Sequence, residues 1–373
     1  MYVFAPYFVQ KMFPSTLIFL ISLELIAGNS PPLETALWRP ETVVWEAQHA
    51  EKDASFRGLC AVSAQVCWVS GTGGRVLRTT NGGATWDVVG PPHSEELDFR
   101  DIEAWDEKTA VIMSSGELDR IYRTADGGQT WELVFEHPER EAFFDGIAFA
   151  NRDLGWLMGD PVAGRLLILQ TTDGGRSWTE LPANRLPAIQ EGEAGFAASG
   201  TNLTVGSEPG SLAIALGGAP QGKRFTASRV VITTDEGRSW VANSVPIARG
   251  EASGLFSLCC LSERRWVAVG GDYKQPNTTT ETAAWSEDNG KTWVAVTEQP
   301  PSGYRSAVAW ALAAEGKIVL IAVGPNGTDQ SSDFGKSWQR VSDEGFHTLD
   351  FTPDQQAGWA AGAGGRISRW RGN

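Results

Sequence analysis

The sequence predicts an all-β fold, a seven-bladed β-propeller whose ring is closed by an N-terminal strand. Three observations carry this expectation. An eight-residue box recurs six times: TTNGGATW (79–86), TADGGQTW (124–131), TTDGGRSW (171–178), TTDEGRSW (233–240), SEDNGKTW (286–293) and SSDFGKSW (331–338). The box tryptophans, Trp86, Trp131, Trp178, Trp240, Trp293 and Trp338, are 45, 47, 62, 53 and 45 residues apart, the period of a four-stranded blade. After the sixth box, GAGGRISR (362–369) echoes GTGGRVLR (71–78), so a seventh unit follows.

The elements can be justified in chain order. The first unit reads FRGLCAVS, VCWVSG, GRVLRTT, a box turn and TWDVV. The second reads FRDIEAWD, TAVIMSS, RIYRTA, turn and TWELVF, and the third FFDGIAFA, LGWLMGD, RLLILQTT, turn and SWTEL. These runs are rich in β-branched and aromatic residues and bounded by Gly, Asp and Pro, as strands are. The box is thus the turn between third and fourth strands. Its Asp accepts backbone N–H groups across the turn, its Gly supplies a positive φ, and its Ser or Thr hydroxyl completes the network. The turn aspartates are Asp126, Asp173, Asp235, Asp288 and Asp333, with Asn81 in their place in the first box. The closing Trp buries a large ring against the neighbouring sheet. The seventh unit offers three strands, in FHTLDFTP (346–353), AGWAAGAGG and RISRW (366–370). TVVWEAQ (42–48) supplies the fourth, with Trp45 in the box Trp position, and leaves the ring no open edge.

Composition narrows the function. The chain has 373 residues, 42% of them hydrophobic, enough for one large repeat domain with a core. A net charge of −14 argues against nucleic acid and against an anionic membrane surface. After Lys11 comes an apolar run, FPSTLIFLISLELIAG (13–28), too short for a comfortable membrane span and interrupted by Glu24. It fits the core of a secretory signal. Residues 1–28 are read as a signal peptide, 29–41 as an N-terminal extension and 42–373 as the propeller. Export to the periplasm or outside the cell is the expectation, with an uncleaved anchor as the alternative. Cys60 and Cys67 fall on neighbouring strands, which leaves a local disulfide open. Cys259 and Cys260 read as buried thiols. No CxxC pair, dinucleotide fingerprint or haem motif is present, so neither a metal nor a cofactor is expected.

Propeller geometry places a candidate site opposite the box turns. The first strands align as an aromatic followed by a variable residue: Phe56-Arg57, Phe99-Arg100, Phe144-Asp145, Phe196-Ala197, Phe256-Ser257, Tyr304-Arg305 and Phe346-His347. With the aromatics between blades, period-2 alternation turns the next residue to the channel mouth. The expected mouth comprises Arg57, Arg100, Asp145, Ser257, Arg305 and His347, with Asp101 one step further along. Loops on the same face add Asp160, Asp272, Tyr273 and Asn326. The longest insertions, 182–195, 219–228 and 272–283, lie there too, where binding function usually resides. The arginines either clamp a carboxylate or an acidic segment, or are neutralised by Asp101, Asp145 and Asp160.

The boxes match the Asp-box (BNR) repeat. The chain from about Val43 to Arg369 resembles the photosystem II stability/assembly factor family and its bacterial relatives, through GTGGRVLRTTNGGATW, DFRDIEAWD and AGWAAGAGGRI. That resemblance implies a non-catalytic exported propeller, acting as a monomer, that docks a protein segment, including a segment or terminus of a membrane protein. Asp-box repeats also occur in sialidases, which implies a second possibility, a glycoside hydrolase on the same face taking carbohydrate. Sialidases hold the substrate carboxylate with three arginines and use a Tyr nucleophile with a Glu partner and an Asp acid. Tyr304 or Tyr273, with Asp101 or Asp145, would have to fill those roles. The sialidase R-I-P motif is absent, and those enzymes have six blades rather than seven.

Overall fold

A computed structural model describes residues 44–371 apart from 117 and 139–141. The signal-peptide and extension readings (1–41) lie outside the described residues. Seven antiparallel sheets follow one another round a ring. Blade 1 comprises Phe56–Ala61, Cys67–Gly71, Val76–Thr79 and Asp87–Val88, and blade 2 Asp98–Ala104, Ala110–Ser115, Arg120–Thr124 and Glu132–Glu136. Blade 3 comprises Phe144–Phe149, Gly155–Val162, Arg165–Thr171 and Thr179–Glu180, and blade 4 Leu203–Val205, Leu212–Leu216, Ser228–Thr233 and Val241–Val245. Blade 5 is Ser253–Cys260, Trp266–Asp272, Ala283–Ser286 and Val294–Ala295, extended on its inner edge by Arg249–Gly250 and Arg224–Phe225. Blade 6 is Ala307–Leu312, Ile318–Gly324, Gly327–Ser331 and Gln339–Ser342. Blade 7 combines Thr348–Phe351, Gly358–Ala361 and Ile367–Arg371 with the N-terminal strand Val44–His49. In that closure Trp45 stands opposite Trp370.

The core lies between blades. Trp68, Trp156, Trp266 and Trp359, each on the second strand of its blade, are fully buried. The box turns are knitted as their residue types require. In the third box Thr171 Oγ1 donates to Asp173 Oδ1 (2.9 Å) and accepts the Gly175 N–H (3.0 Å). Asp173 Oδ1 also accepts the Ser177 N–H (3.0 Å), and Ser177 Oγ donates to Oδ2 (2.6 Å). Asn81 keeps the backbone bond to Thr85 (3.0 Å), but its Nδ2 donates to the Thr85 hydroxyl instead. Two consecutive positions in each box have positive φ. The first accepts Glu236, Asn289 or Phe334, whereas the second is always Gly. A Cβ on Gly175 would fall 2.8 Å from Val111 of the preceding blade, so packing as well as φ demands glycine there.

All four cysteines are free thiols. The hairpin register explains this for the first pair: Cys67 faces Ala61, and Cys60 faces Trp68. Among the described residues no helix is long and apolar enough to cross a membrane, and no cluster of His, Cys, Asp and Glu is arranged to hold a metal ion.

Candidate functional site: the channel mouth

The inner strands of blades 1, 2, 3 and 5 each carry a one-residue bulge near their start. The extra residue is Arg57, Arg100, Asp145 and Phe256 in turn, and each points into one cavity of about 580 Å³ at the mouth. A bulge re-aims a side chain without breaking the sheet. Asp160, Tyr273, Tyr304 and His347 line the same cavity.

Five of the expected mouth residues, Ser257, Arg305, Asn326, Asp101 and Asp272, lie outside the lining. In blade 5 it is Leu255, not Phe256, that packs between blades, so the aromatic alignment slips by one residue and Ser257 drops below the mouth. Ser257 Oγ accepts the Val308 N–H (3.0 Å) of blade 6. In blade 6 the aromatic lies one residue before the between-blade position instead, so Tyr304 lines the cavity and Arg305 is turned into the protein. Arg305 is fully buried, paired with Asp329 (2.5 Å) and bonded to Tyr304 O, Asn326 Oδ1 and Ser302 Oγ. It has no donor left for a ligand, and Asn326 is committed to it. Asp101 is also withdrawn: its two oxygens accept the N–H groups of Ile102 (2.9 Å) and Ile147 (2.8 Å), strapping blade 2 to blade 3. Asp272 stays outside the lining, accepting the Lys274 N–H (2.8 Å) in its own loop.

The largest feature that sequence reasoning missed is a plug. Phe196-Ala197 does not open the inner strand of blade 4; that strand starts at Leu203. Residues 196–202 instead cross the channel. Arg100 Nη1 donates to Ala197 O (3.0 Å), Ser199 Oγ to Ser306 O (2.8 Å), Thr348 Oγ1 to Ser199 O (3.1 Å) and Thr201 Oγ1 to Ser257 Oγ (2.7 Å). Blades 2, 5, 6 and 7 therefore all hold it. Gly200 (φ +76°) lies so close to Asp101 that a Cβ would sit 2.2 Å from its carboxylate. The plug floors the mouth and leaves a second cavity of about 240 Å³ beneath, lined by Asp101, Glu103 and Asp350. The 62-residue spacing between Trp178 and Trp240 was the available signal for this insertion.

The mouth has two chemically distinct sides. On one, Phe196 and Phe256 stack with ring centroids 4.0 Å apart. Tyr304 meets Phe256 edge-on at 4.7 Å, and Tyr273, 46% exposed, meets Phe256 edge-on at 6.4 Å. Burial raises the Tyr304 phenol above its ordinary range. On the other side stand the charges. Arg100 is paired with Asp98 (2.5 Å) and lies over the Phe143 ring. Arg57 Nε is buried without a hydrogen-bond partner, and Arg57 forms none of the ion pairs found among the described residues. Burial first, then the charges of Arg57 and Arg100, push His347 down to about 4, so it is neutral at physiological pH. The rim insertions are tied together by Lys223–Glu191 (2.9 Å), Lys274–Glu251 (3.1 Å) and the pairing of Arg229 with Glu193. A shelf of aromatic rings beside an unsatisfied guanidinium suits a peptide that carries apolar side chains and an anionic group. It does not suit glycoside hydrolysis: the tyrosines sit in an aromatic cluster, and the third arginine is buried.

Comparison with known proteins agrees with this architecture. Residues 96–194 match the family model described as photosynthesis system II assembly factor YCF48. The chain is similar to a solved structure of YCF48 bound to D1 peptide, at 16% identity over 90% of this chain and 99% of that one, with a TM-score of 0.59. YCF48 from Cyanidioschyzon merolae is similar at 15% identity, 88% and 98% coverage and a TM-score of 0.61. The Neurospora crassa Pan2 WD40 domain follows at 12% identity, 85% and 89% coverage and a TM-score of 0.55. No curated protein matches. The chain therefore shares the propeller fold of these structures, and its residues 96–194 are similar to the assembly-factor family model.

Proposed function

We propose that this propeller is an exported, non-catalytic assembly factor that docks an extended protein segment at the channel mouth. The carrying observation is Arg57, a cation aimed into the cavity with no anion of its own. Arg57 grips an acidic side chain or carboxylate of the segment, and the Phe196–Phe256–Tyr273–Tyr304 shelf takes its apolar side chains. Arg100 contributes positive potential, although Asp98 and the plug hold its geometry. The match of residues 96–194 to the assembly-factor family, and a similar fold bound to D1 peptide, support a protein segment as the ligand class.

The test is calorimetric titration of the protein with a D1 peptide. Arg57→Ala should weaken binding about 10- to 100-fold, the worth of one charge-assisted hydrogen-bonded contact. Arg340→Ala, which removes an exposed guanidinium paired with Asp343 at 2.8 Å, should leave it unchanged. Equal affinity of wild type and Arg57→Ala would remove the arginine from the site.

A further inference from the structure

Two carboxyl groups share the mouth with the arginines. Asp145, the bulged residue of blade 3, is 1% exposed, and its Oδ2 lacks a conventional donor. Asp160, on the adjoining strand, lines the same cavity and accepts the Gly195 N–H (3.2 Å) on Oδ1. Both carboxyls thus flank Gly195 in one cavity, with no cation among the described residues paired to either. Two carboxylates offer each other only acceptors, so their close approach favours holding a proton. The rim insertion closes over the pair: a Cβ on Gly195 would lie 2.5 Å from Asp145 Oδ2.

We propose that the Asp145–Asp160 pair is a proton-operated switch that sets the charge of the mouth and thereby the affinity for an anionic segment. This rests on the docking function proposed above. With one proton the pair carries a negative charge that opposes the incoming anion and offsets the arginines. With two protons it is neutral, and Arg57 meets the segment unopposed. Acidification therefore tightens binding.

Burial, then the proximity of Asp160, raises Asp145 well above the carboxylate range, so it holds the first proton. Burial raises Asp160 to about 6, so the second arrives in mildly acidic solution. The surrounding charges allow this. Blade 2 presents Arg100 with its partner Asp98. Asp119, with His137 beside it, is raised by burial to about 6 and adds to the change in the same sense. Blade 1 presents Arg57, and blade 7 His347, neutral throughout the window. From the rim, Glu193, Glu191 and Glu251 are already engaged by Arg229, Lys223 and Lys274.

The test compares the full chain with Asp160→Asn by two readouts between pH 8 and pH 5: affinity for a D1 peptide, and the NMR shift of the Gly195 amide. Wild type should bind about tenfold more tightly at pH 5, the effect of removing one nearby charge. Asp160→Asn should bind tightly at pH 8 and vary little. The wild-type Gly195 amide should titrate near pH 6, and that titration should vanish in the variant. Binding with the same pH profile in both proteins would overturn the switch, as would a Gly195 amide that does not titrate between pH 5 and 7. If no peptide binds at any pH, the docking function fails, and the Gly195 titration alone decides whether the pair changes charge.

Discussion

The box turns on the rim and the interior of the channel both rely on aspartates that accept backbone N–H groups. In the turns, Asp235 takes bonds from the Ser239 hydroxyl and N–H, then from the Thr233 hydroxyl, and is lowered to about 2. Asp126 is lowered by the equivalent bonds from Thr130. In the channel, Asp101 and Asp350 each accept two backbone N–H groups, Asp350 from Ala61 (2.8 Å) and Phe351 (2.8 Å). Yet burial raises Asp101 to about 8 and Asp350 to about 7. Asp235 has four donors and each channel aspartate two, but the channel pair is raised despite its donors, and the cause is loss of water. An exposed carboxylate keeps the full benefit of its donors, whereas a buried one loses more in hydration than two donors return.

That contrast can be strained experimentally. The largest effect is expected where a buried charge loses its partner: Arg305→Ala strands Asp329 and should cost about 3–5 kcal/mol of stability by denaturant titration. A loss below about 1 kcal/mol would mean that the pair is hydrated. On the exposed side, Asp173→Ala removes one turn anchor and should cost about 1–2 kcal/mol while leaving peptide affinity intact. Normal melting with lost binding would contradict a scaffolding role for the box. The smallest effect is the pH dependence of melting. Asp101 and Asp350 have folded pKa values above the unfolded one, so their contribution is complete in acid and declines as pH rises through 7–8. The box aspartates behave oppositely, contributing above about pH 4 and losing that contribution as pH falls towards 2. The melting temperature should therefore peak in mildly acidic buffer and fall by pH 8. Asp350→Asn should flatten the alkaline decline, and an unchanged decline would assign it to other groups.

The ring was legible in the sequence because repetition multiplies a weak local signal. A single TTDGGRSW is only a turn, but six at a blade period impose a propeller, and Trp45 showed where the seventh blade finds its fourth strand. The mouth was half legible. Arg57, Arg100, Asp145 and His347 reached it because each follows its aromatic by one residue. Phe256 and Tyr304 look like members of the same aromatic column, yet each is one residue out of register, Phe256 late and Tyr304 early. In a strand a shift of one residue exchanges the two faces, and composition alone cannot show a bulge. The plug was hidden for a related reason: Phe196 imitates a strand start, and residues 198–202 are small and polar, like an ordinary loop.

The pairing of Val44–His49 with Ile367–Arg371 has a kinetic consequence. Trp45 and Trp370 must find one another across almost the entire chain, among the costliest searches a fold can impose. During synthesis the first strand must wait, unpaired, until the last has left the ribosome. Blades 1 to 6 can collapse in sequence order, but the final latch is an end-to-end encounter. Its rate, more than any local propensity, should set how long the nascent protein exposes sticky strand edges.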